Sequence, residues 1–408
     1  GGRMSLAHTR IAVAVSSTLA FGLQGLLALT LLWGYTPAVV GEFSVISQVA
    51  FFWVTLAMAQ GPLSWLANAG QSVMTPQQAW LQSLARGLWL LPLALIALWW
   101  SAQSVWPALL WVCALAFTQL TWLWAQSSAL QSPEPRWQFR LRVLPPLVAW
   151  ALSLVGIALG AEAPLLLAAA LAGYALGAAC WPQARERLAL LDAARASPEA
   201  SEDALDALGG DDRSTLLRLA HTFADAVLAT AILVVWQRLY GTAETGALAA
   251  VLRLMGFVPA LVHLAGAQVA LAQAARSGFG GSWGLGLFGF AAVLVMAYAG
   301  EWVLEWGALG PAWTGLWTYL APLALWQGSA CLSAALAHRP FQVGAARAYS
   351  RACIALASLQ GLTLVWPLWG DRPADPSEHV GRLATVSAQG LLAMALWLGK
   401  FRPVSPRP

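Results

Sequence analysis

The chain has 408 residues, of which 59% are hydrophobic and only 10% charged, against about 25% charged in an ordinary soluble domain. That balance excludes a soluble helical protein, because each of its helices would need a polar face. The net charge of +4 and the isoelectric point near 9.1 do not indicate nucleic-acid binding, since the basic residues are scattered between apolar runs.

Apolar stretches of spanning length predict an all-α, polytopic membrane protein with about twelve transmembrane helices. In chain order they fall at roughly 10–33, 41–66, 79–100, 105–130, 143–160, 163–182, 215–237, 246–273, 283–303, 312–337, 346–367 and 380–399. Gly and Pro mark several ends, as in Gly34-Tyr35-Thr36-Pro37, Ser132-Pro133-Glu134-Pro135 and Gly310-Pro311. The first run is too long for a signal-peptide core and lacks a clear cleavage site. With a cytoplasmic N-terminus, 18 of the 22 basic residues fall on inside segments or helix ends, among them Arg86, Arg140, Arg142, Arg218 and Arg351. The positive-inside rule therefore places both termini in the cytoplasm.

The one long loop, at about 183–214, carries seven of the chain's 18 acids between Asp192 and Asp212. It reads as a solvated cytoplasmic linker between an N-terminal lobe (1–182) and a C-terminal lobe (215–408) of six helices each. The halves show weak self-similarity: an offset of 205 pairs Tyr35 with Tyr240, Gly41 with Gly246 and Gln48 with Arg253. An even number of spans per half makes such repeats parallel, giving two pseudo-symmetric six-helix lobes.

The hairpin GYTPAVVGEFSVISQVAFFWVTLA and its counterpart RLYGTAETGALAAVLRLMGFVPALVHLAGAQVALAQAAR carry a resemblance. In both, a Gly after a short outer turn opens the next helix, and Arg253, Leu254 and Pro259 follow Gly246. The chain resembles the polysaccharide (O-antigen or exopolysaccharide repeat-unit) flippases of the multidrug/oligosaccharidyl-lipid/polysaccharide exporter superfamily. The resemblance implies two lobes around a central cavity in a bacterial inner membrane. It also implies alternating access that carries an undecaprenyl-diphosphate-linked oligosaccharide, with H+ or Na+ as coupling ion and other polysaccharide assembly proteins as partners. Related lipid II flippases place cavity arginines on helices 1, 2 and 8 and a cation-site acid on helix 7. Here Arg253 and Asp225 match, helix 2 offers Gln48, helix 1 has Arg10 near its inner end, and helix 11 has no acid.

Arg253 lies about eight residues into its helix, hence about 12 Å from the outer end, and an intramembrane arginine calls for a wet cavity or a partner. Its fork suits a diphosphate or an acidic sugar; a structural partner on a neighbouring helix is the alternative. His221 and Asp225, four apart, share one helix face and form a candidate coupling site, or a plain ion pair. Gln24, Gln48, Gln60 and Gln119 could contact sugar hydroxyls or pack helices. His263 and Gln268, about 500° apart, suit helix–helix hydrogen bonds better than a ligand. Gly173-xxx-Gly177 is a helix-packing spacing. Most of the 24 tryptophans suit interfacial anchoring better than sugar stacking. The four cysteines are dispersed and read as small hydrophobes, not as a metal site or disulfide frame. Gly280-Gly281-Ser282-Trp283-Gly284 matches a nucleophile-elbow string but lacks the strand it needs. No nucleotide, metal or cofactor motif appears. A transporter, not an enzyme, is therefore expected. The rivals are a multidrug efflux antiporter of the same superfamily and, less in keeping with the short outer loops, a membrane glycosyltransferase or polysaccharide polymerase.

Overall fold

The computed structural model of the chain describes residues 2–59, 61, 76–129, 135–180, 212–272, 280–370 and 375–401. The expected linker lies outside them, apart from its last three residues, which already belong to a helix. Among the described residues there are helices and no strands: α1 (Gly2–Gly34), α2 (Pro37–Met58), α3 (Pro76–Trp100), α4 (Val105–Ala129), α5 (Pro135–Ala158), α6 (Ala163–Ala179), α7 (Asp212–Ala272), α8 (Gly280–Glu305), α9 (Trp317–Leu336), α10 (Ala346–Val365) and α11 (Pro376–Leu398). Nine described segments are long and apolar enough to cross a membrane. The longest, Leu216–Gly266, covers two expected spans; the shorter α6 and the more polar α11 match the remaining two. The chain is an all-α, multi-pass membrane protein.

The chain's own punctuation sets these elements. Four helices, α2, α3, α5 and α11, begin on a proline, whose fixed φ and missing N–H suit the first helical position. The helix α2 ends at Met58, where Ala59 has a positive φ of 44°; residues 62–66 of the expected span lie outside the described residues. A helix continued through Pro62 would drive its ring into the Met58 carbonyl. The outer turn expected between helices 7 and 8 shrinks to one residue: α7 runs through it, broken only at Gly241 (φ 84°, ψ −178°). That conformation is essentially restricted to glycine.

Two compact units result. The first holds residues 1–35 and 42–219, the second residues 36–41 and 220–408. In the first unit α5 packs on α1 and α6, and α4 on α6 and α3. Gly173 and Gly177 do serve packing: a Cβ on Gly173 would stand 2.5 Å from the Pro145 carbonyl oxygen, and one on Gly177 would stand 2.3 Å from the Trp122 ring. In the second unit α9 is the central helix, packed on α8 and α11, with α10 against α11. Leu332, Leu336, Ala395 and Leu398 form one of its cores, against which Trp283 packs. The Gly280–Gly284 string therefore opens a helix and makes no elbow.

Polar side chains lock the helices by bonding to main-chain carbonyls. Pro145 cannot donate to Leu141, its partner four residues back. The freed Leu141 carbonyl accepts instead from Trp122 Nε1 at 2.6 Å and Gln126 Nε2 at 3.2 Å on α4. Each single replacement, Trp122→Phe or Gln126→Leu, should be mild because one donor remains. The double replacement should cost about 1–3 kcal/mol beyond their sum, read as a non-additive fall in Tm. Arg86 does the same for α2: its Nε donates to Ala57 O at 2.9 Å and Nη2 to Met58 O at 3.3 Å. Those carbonyls lie in the last turn, where no intrahelical donor exists. Arg86→Lys keeps the charge but loses the fork and should lower Tm; an unchanged Tm would show that the cap contributes nothing.

The tryptophans divide into two groups. Trp99, Trp106, Trp306 and Trp369 are exposed near helix ends, as interfacial anchors are. Others tie helices together through the indole N–H, such as Trp53 to Gly87 O, Trp80 to Thr121 and Trp150 to Thr30.

Candidate functional site

His221 and Asp225 lie in the first arm of α7, one turn apart, and the imidazole Nε2 stands 3.1 Å from Asp225 Oδ2. Across from them α10 presents Tyr349 and Cys353, also four apart. The Cys353 thiol lies beside both His221 and Tyr349, and the Tyr349 ring stands edge-on to His221 at 5.9 Å. Two i,i+4 pairs on facing helices thus form one cluster. The Asp225 side chain is 61% exposed and that of His221 22%, so the carboxylate is the open end and the imidazole the shielded one.

Cys353 is a free thiol packed against the cluster of Leu332, Leu336 and Leu398, in keeping with its reading as a small hydrophobe. Among the described residues no group of three or more His, Cys, Asp or Glu could hold a metal ion.

The other sequence candidates distribute as follows. Arg253 and Gln48 are both half-buried, and neither lacks a partner. Gln24 is exposed on α1, and His263 is exposed on the second arm of α7. Arg10 lies on the helical backbone of α1, but its side chain, like that of Gln268, falls outside the described residues, as does Gln60. Gln119 is buried and bonds Tyr174 at 3.5 Å, joining α4 to α6.

Sequence reasoning missed a second polar network, at the far end of the first arm of α7. Trp236 Nε1 donates to the Tyr319 hydroxyl at 2.9 Å, which donates to Glu244 at 2.5 Å. His379, fully buried, stacks on Trp236 with ring centroids 4.5 Å apart and bonds the Tyr240 hydroxyl through Nδ1 at 2.9 Å. Trp236 and Tyr240 precede the Gly241 break and Glu244 follows it, so these bonds fix the bend.

Next to that bend, the glycines paired by the internal offset meet. A Cβ on Gly41 would stand 2.0 Å from Thr242 O and 3.0 Å from Gly246 N; one on Gly246 would stand 1.7 Å from Pro37 O and 2.9 Å from Gly41 N. The contact is reciprocal.

Helices, spans and buried intramembrane polar clusters define a polytopic membrane protein. Among solved structures, the chain is similar to the inward-facing conformation of a multidrug resistance MATE family transporter of the MOP superfamily. The TM-score is 0.47, with 12% identity over 93% of each chain. No protein-family model and no curated protein matches.

Proposed function

We propose that the chain is a flippase that carries an undecaprenyl-diphosphate-linked oligosaccharide from the cytoplasmic to the outer leaflet of a bacterial inner membrane. Two lobes, 1–182 and 215–408, would alternate access about the cytoplasmic linker 183–214. The observation that carries the reading is Arg253, a half-buried guanidinium within an apolar span. Such a charge is retained at a cost of at least about 2.5 kcal/mol where it meets an anion. Its fork suits bidentate contact with a diphosphate.

Asp225 and His221 would couple transport to an ion, and their surroundings favour a proton over sodium. Hard cations take several oxygen ligands, whereas this cluster supplies an imidazole, a thiol, a phenol and one carboxylate. Imidazole and carboxylate together are ordinary proton carriers in membranes.

The test is transport of a lipid-linked oligosaccharide in reconstituted liposomes, with wild type and Arg253→Ala compared. Transport that falls about tenfold or more, the loss of one charge-assisted phosphate contact, supports the reading. Transport unchanged by the mutation returns Arg253 to a structural role. Absence of transport of any such lipid, with uptake of cationic drugs instead, would favour an efflux antiporter, for which the exposed Asp225 carboxylate is the observation in favour.

A further inference from the structure

Four basic residues stand apart from the inside set: Arg238, Arg253, Arg372 and Arg382. Arg382 lies in the second turn of α11, at the end that the charge distribution assigns to the outside. Its guanidinium is 2.6 Å from Glu378 Oε1 and 4.2 Å from the centroid of the Trp366 ring. All three line a cavity of about 660 Å³, walled by the end of α10, the turn after it and the start of α11. Ser377 adds a hydroxyl, and Leu362 and Val386 form an apolar wall.

Both charges are about half exposed, 52% for Arg382 and 50% for Glu378. An ion pair this exposed adds little to stability and opens easily. What it offers is a cation and an anion side by side at the rim of an apolar cavity. Exposed Trp369, next to Trp366, marks the interfacial depth at which head groups sit. The matching ligand carries one phosphate, one ammonium and hydrocarbon below them.

We propose that this cavity binds the head group of phosphatidylethanolamine, with its phosphate on Arg382 and its ammonium on Glu378. The first chain carbons lie along Leu362 and Val386, and the tails remain in the bilayer. The recess is open on its outer side, so it seats a head group at the surface and not a whole lipid. Phosphatidylcholine fits less well because its quaternary nitrogen has no N–H to give the carboxylate. Phosphatidylglycerol offers Glu378 no cation. A lipid-linked diphosphate brings excess negative charge against Glu378. The proposal is independent of the transport reading.

Native mass spectrometry of the purified full chain with short-chain phospholipids tests it. Wild type should retain phosphatidylethanolamine about tenfold better than phosphatidylcholine, the difference made by one charge-assisted hydrogen bond. Retention should fall stepwise along the mono- and dimethylated head groups, a series that needs no variant. Glu378→Gln should erase the preference while phosphate binding persists, and Arg382→Gln should weaken every phospholipid. Equal retention of the ethanolamine and choline lipids by wild type overturns the proposal. So does retention of phosphatidylglycerol as strong as that of phosphatidylethanolamine, or a preference unchanged in both variants.

Discussion

Alanine at Gly246 will destabilise the protein by about 3 kcal/mol or more, the upper range for forcing atoms into a packed site. The added Cβ would lie 1.7 Å from the Pro37 carbonyl oxygen, and real Cβ atoms essentially never approach within 3.0 Å. The obstacle is backbone, so no rotamer change relieves it, and the two segments must part by more than an ångström. Gly41→Ala meets the Thr242 carbonyl in the same way. Gly256→Ala is the control: it lies in the same helix with open space around it and should be neutral or stabilising by up to about 1 kcal/mol. Thermal melting of the three variants in detergent gives the comparison. Equal melting of Gly246→Ala and Gly256→Ala would mean that the close approach does not form.

Asp225→Asn should do the opposite: little to stability and much to transport. The carboxylate is largely exposed and its ion pair with His221 is an i,i+4 pair, worth about 0.5 kcal/mol or less. The amide preserves shape but cannot take up a proton at any working pH. If the cluster couples transport to protons, uptake driven by an imposed pH gradient should fall about tenfold or more, the usual range of a coupling energy, while Tm barely moves. A sodium gradient alone should drive nothing in wild type. Sodium-driven uptake, or an Asp225→Asn variant running at the wild-type rate, would end the proton assignment.

Much of the architecture was legible because a membrane imposes its own length. Runs such as 105–130 had no alternative to a spanning helix, and the structure places α4 there almost residue for residue. The Gly173-xxx-Gly177 spacing was also readable, because close backbone approach admits only glycine, whereas the internal offset that pairs Gly41 with Gly246 gave no sign that the two would touch. What the sequence hid depended on contacts between distant segments. Tyr349 is unremarkable on its own helix and meets His221 only through the fold. His379 and Glu244 are unremarkable in their segments, yet both belong to the network around the Gly241 break. An amide inside a span, such as Gln119, serves a sugar or a neighbouring helix equally well on the sequence alone, and its bond to Tyr174 comes only with the fold.

The carbonyls of Ala57, Gly87, Leu141 and Ser153 all receive side-chain donors from other helices. A main-chain oxygen survives almost every substitution at its own residue. The two sides of each bond therefore differ in how freely they can change. Residues such as Leu141 can vary within the limits of packing volume without losing the bond, whereas Trp53, Arg86 and Tyr35 cannot be exchanged without losing the donor geometry. Mutational tolerance in the first unit should follow that asymmetry, concentrating sensitivity on a few donors while the acceptor positions accept any apolar residue that fits.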